Sequence, residues 1–184
     1  MAKDIFEMLN DDLPPVLAPA LKVINGAVEE GIIQKFVIGG SIAIMNYTEP
    51  FSTKDLDLFC FFPGQNGLLF SLAPIWNYLE SLGYKSDGAL SMIVEGVAVQ
   101  FLTPSSPLEI EAMDSALLSD FEGQTVYVFQ LEYAMAIKSQ ANRSKDWRHI
   151  DIAMESAVPD MIKLAEILKK FDLMDRWIKK GYEF

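Results

Sequence analysis

Phe36-Val37-Ile38-Gly39-Gly40-Ser41 and, one loop later, Thr53-Lys54-Asp55-Leu56-Asp57-Leu58-Phe59-Cys60-Phe61-Phe62 decide how this chain folds. The first stretch is a short, wholly apolar strand halted by two glycines. The second opens with strict alternation and then turns continuously apolar, the pattern of a central strand with one end near the surface. Between them, Ser41 to Tyr47 has helical spacing, and a loop holding Glu49-Pro50 leads back into the sheet. Residues two apart on a strand share a face, so Asp55 and Asp57 stand side by side at the end of a buried strand.

Working outward, a short amphipathic helix is expected over residues 3–11 (Ile5, Phe6, Met8, Leu9), ended by Asp11, Asp12 and Pro14-Pro15. A second helix runs over 16–30 and closes at Gly31, and a third over 68–82 stops at Gly83. Strands follow over 91–94 and 97–102 around a Glu95-Gly96 turn, and Pro107 opens a helix extending to Leu118. A last strand covers 125–129. Everything after Leu131 reads as helix, broken near Arg143–Ser144, at Pro159 and near Asp172. The expected architecture is α/β (α+β): a mixed sheet flanked by helices over residues 1–130, with 131–184 as a helical extension packed on the same core.

The 184 residues are 51% hydrophobic and 22% charged, which excludes a disordered chain or a disulfide scaffold and suffices for a sizeable core. Fifteen Lys and Arg against 26 Asp and Glu leave a net charge of −11, which argues against general DNA or nucleic-acid coating. A local basic patch remains compatible with a nucleotide or an RNA end. Cys60 is the only cysteine, so no internal disulfide forms and a reducing cytoplasm fits. Acidic residues near the N-terminus do not suit a signal peptide, and the run Phe36–Met45 is too short to span a bilayer, so a soluble, cytoplasmic protein is expected. One histidine, His149, and one cysteine make a zinc site or a serine–histidine triad a poor fit.

Gly39-Gly40-Ser41 lets a backbone approach a ligand closely, with Ser41 as an extra donor or as the helix N-cap; a tight turn with no ligand needs the same residues. Asp55 and Asp57 repel one another unless a cation or protons intervene. Paired carboxylates beside a phosphate cradle are the parts that hold Mg²⁺ on a triphosphate, although a solvated pair on a sheet rim gives the same letters.

Together, strand, Gly-Gly-Ser, helix and a strand bearing Asp-x-Asp resemble the nucleotidyltransferase superfamily, in particular the minimal nucleotidyltransferases and the branch related to abortive-infection toxins. The stretch Glu132 to Ile150 is similar to that branch's helical motif, with Lys138, then Arg143, then Lys145-Asp146. The resemblance covers about residues 36–62 and 125–152. It implies in-line transfer of a nucleoside monophosphate from an NTP, with pyrophosphate leaving, to a protein hydroxyl, an RNA end or a small molecule. Asp55 and Asp57 would hold Mg²⁺ (or Mn²⁺), with Gln100 as a further oxygen ligand, and Lys138 would pair with a phosphate oxygen. Gly39, Gly40, Ser41 and Thr53 would cradle the nucleotide, Arg143 and Lys145 would line the cleft mouth, and Asp146 would orient the basic residues.

Three departures from the family pattern bear on activity, one being that Phe51-Ser52 precede Thr53 where a basic residue is often found. In Val97-Ala98-Val99-Gln100-Phe101-Leu102, Gln100 stands where such enzymes carry a third carboxylate; an amide ligates a metal but supplies neither charge nor a general base. His149 occupies the place of a second aspartate. An active enzyme is the favoured expectation; the alternative is a catalytically silent nucleotide-binding protein, or a toxin–antitoxin component that meets a protein partner. The remaining candidates read as structural. Glu95 belongs in a turn, Glu109 and Glu111 on a solvated helix face, and His149 near acidic neighbours. Trp147 packs between helices or stacks on a base, and the basic residues from Lys169 to Lys180 form a solvated face or meet an acidic partner.

Overall fold

The computed structural model describes residues 16–53, 55–64, 71–88 and 91–183. The helix expected over 3–11, and the start of the one expected from Leu68, lie outside them. The described residues form one seven-stranded sheet and eight helices. In chain order these are α1 (Ala18–Glu29), β1 (Lys35–Ile38), α2 (Gly40–Met45), β2 (Asp55–Phe61), α3 (Ala73–Ser81), β3 (Lys85–Ser86), β4 (Ser91–Val94) and β5 (Val97–Leu102). Then come α4 (Pro107–Asp114), β6 (Leu117–Phe121), β7 (Gln124–Val128), α5 (Leu131–Ala141), α6 (Ser144–Ser156), α7 (Met161–Lys170) and α8 (Met174–Lys179).

The strand order is β3-β4-β5-β2-β1-β7-β6, so the alternating-then-apolar stretch is the middle strand, as its pattern demands. β2 runs antiparallel to β1 and parallel to β5, and β1 runs parallel to β7, giving a mixed sheet. Alternation along β2 leaves Asp55 and Asp57 partly exposed while Leu56 and Leu58 are fully buried. Along β5, Val97, Val99 and Phe101 are buried, and Gln100 and Leu102 face the side that carries the aspartates. Helices cover the sheet through apolar stripes such as Ala20, Leu21, Ile24 and Ala27 of α1, spaced three or four apart. Leu131, Tyr133 and Met135 of α5, Leu164 and Leu168 of α7 and Trp177 of α8 join the same buried cluster as β1, β2 and β5. Each fully buried Leu, Ile or Met among them contributes about 1.5–3 kcal/mol.

One expectation needs correction, and one strand was not anticipated. The helix from Pro107 ends at Asp114, not Leu118, because Leu117–Phe121 forms the edge strand β6, paired antiparallel with β7. Its apolar Leu117 and Leu118 are exposed, so they show no alternation and read as a continuing helix. The two-residue β3, paired with β4, has both residues exposed and lacks any hydrophobic signal. The 91–94 and 97–102 strands form the expected hairpin, with Glu95 and Gly96 both at positive φ, as a tight primed turn requires.

Candidate active site

Glycine is obligatory where β1 passes into α2. Gly40 has φ +59°, and a Cβ built there would lie 1.9 Å from Asp57 Oδ2. A Cβ on Gly39 would meet Phe59 at 2.6 Å and Phe129 at 2.9 Å. The turn is therefore pressed onto the acid-bearing strand, and Gly39 N–H donates to the Asp57 carbonyl at 2.9 Å. Gly39 is the N-cap of α2, without a side-chain cap, so Ser41 is not the capping residue.

In the β2–β5 register, Asp57 is paired with Gln100 and Asp55 with Ala98. The amide thus lies beside the second aspartate, as the sequence pattern requires. Burial, with help from Asp55, holds the Asp57 carboxyl above the usual carboxylate range, against the opposing charges of Lys138, Lys145 and Arg143. Two carboxylates and an amide are oxygen donors of the kind a hard divalent cation takes, and they fit one Mg²⁺ better than two. Among the described residues there is no cluster of three or more His, Cys, Asp or Glu side chains.

The opposite wall comes from α5 and α6. α5 is buried on most of its circumference and ends at Asn142, whose left-handed conformation (φ 57°) turns the chain into α6. Trp147 Nε1 donates to Asn142 Oδ1 at 2.9 Å and fixes that turn. Lys138, buried on α5, donates from Nζ to Asp146 Oδ1 at 3.4 Å and to Ser41 Oγ at 3.5 Å. Burial lowers its pKa, while Asp146 and Asp57 pull it back up. Asp146 is completely buried and accepts from Arg143 Nε at 2.6 Å and from the Arg143 backbone N–H at 3.3 Å. Burial raises the Asp146 pKa, but Arg143 and Lys138 outweigh it and the carboxyl stays below its ordinary range. Asp146 orients the two bases and is spent on them.

These walls enclose a cleft of about 640 Å³ that brings together Gly40, Ser41, Thr53, Asp55, Asp57, Gln100, Lys138, Arg143 and Lys145. Of the residues singled out in the sequence for the site, only Gly39 does not line it; it packs behind the turn against two phenylalanine rings. Sequence reasoning missed Glu109, Arg148 and His149, which also line it. Helical spacing held the signal for two of them, because Arg148 and His149 lie three and four residues beyond Lys145 and share its face. The direct partners of His149 are not acids: Nδ1 is 3.2 Å from Ser41 Oγ, and Phe51 stacks on the ring at 4.8 Å between centroids. Burial, together with the charge of Lys138, pushes its pKa down to about 4. Glu109 is no solvated side chain either. Its carboxylate receives the Ser105 and Ser106 backbone N–H groups at 2.6 and 3.0 Å in the capping box of α4. Glu111 accepts from the Tyr133 hydroxyl and from Lys170. Glu95 accepts from Tyr84 in its turn, away from the cleft, and Trp147 packs against Trp177 and Tyr182.

No helix among the described residues is long and apolar enough to cross a membrane. Neither a family model nor a curated protein matches the chain. Solved structures do. An antigenic nucleotidyltransferase-like protein from Paracoccidioides brasiliensis superposes with a TM-score of 0.55 at 17% identity, over 90% of this chain and 94% of that one. The solution structure of the antibiotic-resistance factor ANT(2'')-Ia gives 0.52 at 14% identity, covering 89% and 96%. The crystal structure of ANT(2'')-Ia in complex with adenylyl-2''-tobramycin gives 0.52 at 16% identity, covering 86% and 98%. At these identities the likeness is one of fold: the chain has the fold of nucleotidyltransferase-like proteins.

Proposed function

We propose that this cleft binds a nucleoside triphosphate with one Mg²⁺ and transfers the nucleoside monophosphate to a hydroxyl-bearing acceptor. The observation that carries this reading is the convergence, in one cleft, of Asp55 and Asp57 from β2, the Gly40–Ser41 turn pressed against them and the basic set Lys138, Arg143 and Lys145. That combination suits a ligand that is both metal-bound and polyanionic. The fold shared with ANT(2'')-Ia, solved with an adenylyl group on its ligand, supports the same reaction class.

In this reading Asp55 and Asp57 are the metal ligands and Gln100 supplies an amide oxygen next to Asp57. When bound, the cation neutralises charge that builds on the phosphates as the leaving pyrophosphate departs. Lys138 meets a phosphate oxygen, its position fixed by Asp146. Arg143 and Lys145 screen the phosphate chain at the cleft edge. Thr53 and Ser41 lie on the same wall as the glycine turn and complete the cradle.

A second reading is favoured by one observation: the side chain in register with Asp57 is uncharged. Glu109 is tied to a structural role instead, its Oε2 accepting from the Ser105 and Ser106 backbone N–H groups at the cap of α4. On this reading the protein holds nucleotide without turnover and acts through a protein partner, as a toxin–antitoxin component would. Calorimetric titration with ATP, GTP, CTP and UTP, with and without Mg²⁺, tests the first reading. Tight binding that needs Mg²⁺ and is lost in Asp55→Ala/Asp57→Ala is expected, and failure of every triphosphate to bind refutes it. Gln100→Asp separates the readings: a sharp gain in pyrophosphate release over wild type supports the silent form, and comparable release supports the enzyme.

A further inference from the structure

His149 is unused by the mechanism above, although it lines the same cleft. Its Nδ1 lies 3.2 Å from Ser41 Oγ, and Lys138 Nζ donates to that same oxygen at 3.5 Å. A serine hydroxyl carries one proton and two lone pairs, and an ammonium group can only donate. With Lys138 donating to one lone pair, the Ser41 proton is available to Nδ1, which in that arrangement receives it on its own lone pair. The single proton of the neutral imidazole is then left on Nε2. Lys138, Lys145 and Arg148 surround the ring with positive charge, and the nearby acid Asp146 is engaged by Arg143 and Lys138, so the neutral ring is favoured. Phe51, stacked at 29° to the imidazole, fixes its plane.

We propose that His149 contacts anionic oxygens of the cleft's ligand through Nε2–H, the hydrogen-bond chain from Lys138 through Ser41 to Nδ1 fixing that tautomer. The inference rests on the ligand being phosphate-bearing, as in the proposed function, but not on transfer taking place. It assigns a neutral donor to a position where the family resemblance leads one to expect a carboxylate. An acid there repels phosphate; the imidazole N–H attracts it. Ser41 then acts mainly as a link, and its donor role passes to the next side chain in the series.

His149 is the only histidine of the chain, so its ring nitrogens are unambiguous in ¹⁵N NMR of the full-length labelled protein. At pH 7 Nδ1 is expected in the unprotonated range and Nε2 in the protonated range. Inorganic tripolyphosphate with Mg²⁺ should then shift Nε2. His149→Phe, which retains an aromatic ring for Phe51, should weaken tripolyphosphate binding about five- to tenfold, and His149→Gln, whose amide nitrogen stands near the Nε2 position, should recover most of it. A proton on Nδ1 overturns the proposal, as does tripolyphosphate that fails to bind, leaves Nε2 unmoved, or binds His149→Phe as well as wild type. If tripolyphosphate shifts Nε2 but no nucleoside triphosphate binds more tightly than tripolyphosphate itself, the nucleotide reading fails and the His149 assignment stands.

Discussion

Replacing Gly40 by alanine should destabilise the fold through two separable effects. The first is conformational: at φ +59° an L-residue with a Cβ costs about 1–2 kcal/mol. The second is steric, because the new Cβ would lie 1.9 Å from Asp57 Oδ2 and 2.8 Å from its Cγ, far inside van der Waals contact. Either the carboxylate or the turn has to move, at about 1–3 kcal/mol, as for other overpacked sites. Gly40→Ala alone should therefore cost about 2–5 kcal/mol, read as a lowered urea midpoint at an unchanged slope. In an Asp57→Ala background the contacts with Oδ2 and Cγ disappear and only the 3.0 Å approach to the Cβ of residue 57 remains, so the same substitution should cost little more than the conformational 1–2 kcal/mol or so. The coupling in this double-mutant cycle is thus about 1–3 kcal/mol. Equal penalties in both backgrounds, within about 0.5 kcal/mol, would refute the claim that the glycine turn rests on the Asp57 carboxylate.

Other predictions concern the charged wall and the imidazole. Asp57→Asn should raise stability at pH 7, because burial makes ionising Asp57 unfavourable in the folded state. The raised pKa gives stability that is present below the ordinary 3.8 and lost as pH rises through the folded value, so the variant's gain should vanish near pH 3 in urea titrations. The same variant should lose more than about tenfold in Mg²⁺-dependent nucleotide affinity by calorimetry, separating stability from binding. For His149 the sign is opposite: its folded pKa of about 4 lies below the ordinary 6.5, so the unfolded chain takes up the proton first and stability falls as pH drops between those values. The whole interval corresponds to about 3.4 kcal/mol at 1.36 kcal/mol per pH unit, and solvent reaching the half-buried ring reduces this to about 2. His149→Phe should lack that component when unfolding is compared at pH 7 and pH 4.5; an identical pH dependence in both proteins would count against it. Lys138→Met should cost about 1–3 kcal/mol in thermal or urea unfolding, less than an isolated buried pair, because Arg143 still neutralises Asp146.

Strands whose burial alternates or is complete were legible from the sequence, and those without a buried face were not. β2 and β5 announce themselves through Leu56, Leu58, Val97 and Val99, whereas β6 presents Leu117 and Leu118 to solvent and merges into the preceding helix pattern. A local clue was available. Glu122-Gly123, both at positive φ, makes the β6–β7 turn with the same dipeptide that makes the β4–β5 turn at Glu95-Gly96. At the site, residues that announce their chemistry by type and spacing were found, including Asp55, Asp57, Lys138 and Arg143. His149 and Glu109 were misread because their partners, Ser41 and the backbone at Ser105–Ser106, are set by tertiary placement and by the geometry of a helix cap. No periodicity encodes either.

The placement of the cleft's two walls has a dynamic consequence. Asp55 and Asp57 sit on the middle strand, which pairs with β5 over Asp55–Phe59 and with β1 over Leu58–Phe61, so the amides of its doubly paired centre exchange with solvent only when the sheet as a whole opens. Lys145 and His149 lie on a helix, capped by Arg143, that joins the core through the solvent-exposed turn at Asn142 and Arg143, and it is expected to open at lower cost than the sheet. Hydrogen exchange should therefore divide the site into a slow acidic half and a fast basic half. Ligand binding should be recorded almost entirely as slowed exchange in α6, with the acidic half serving as the fixed reference against which the basic half closes.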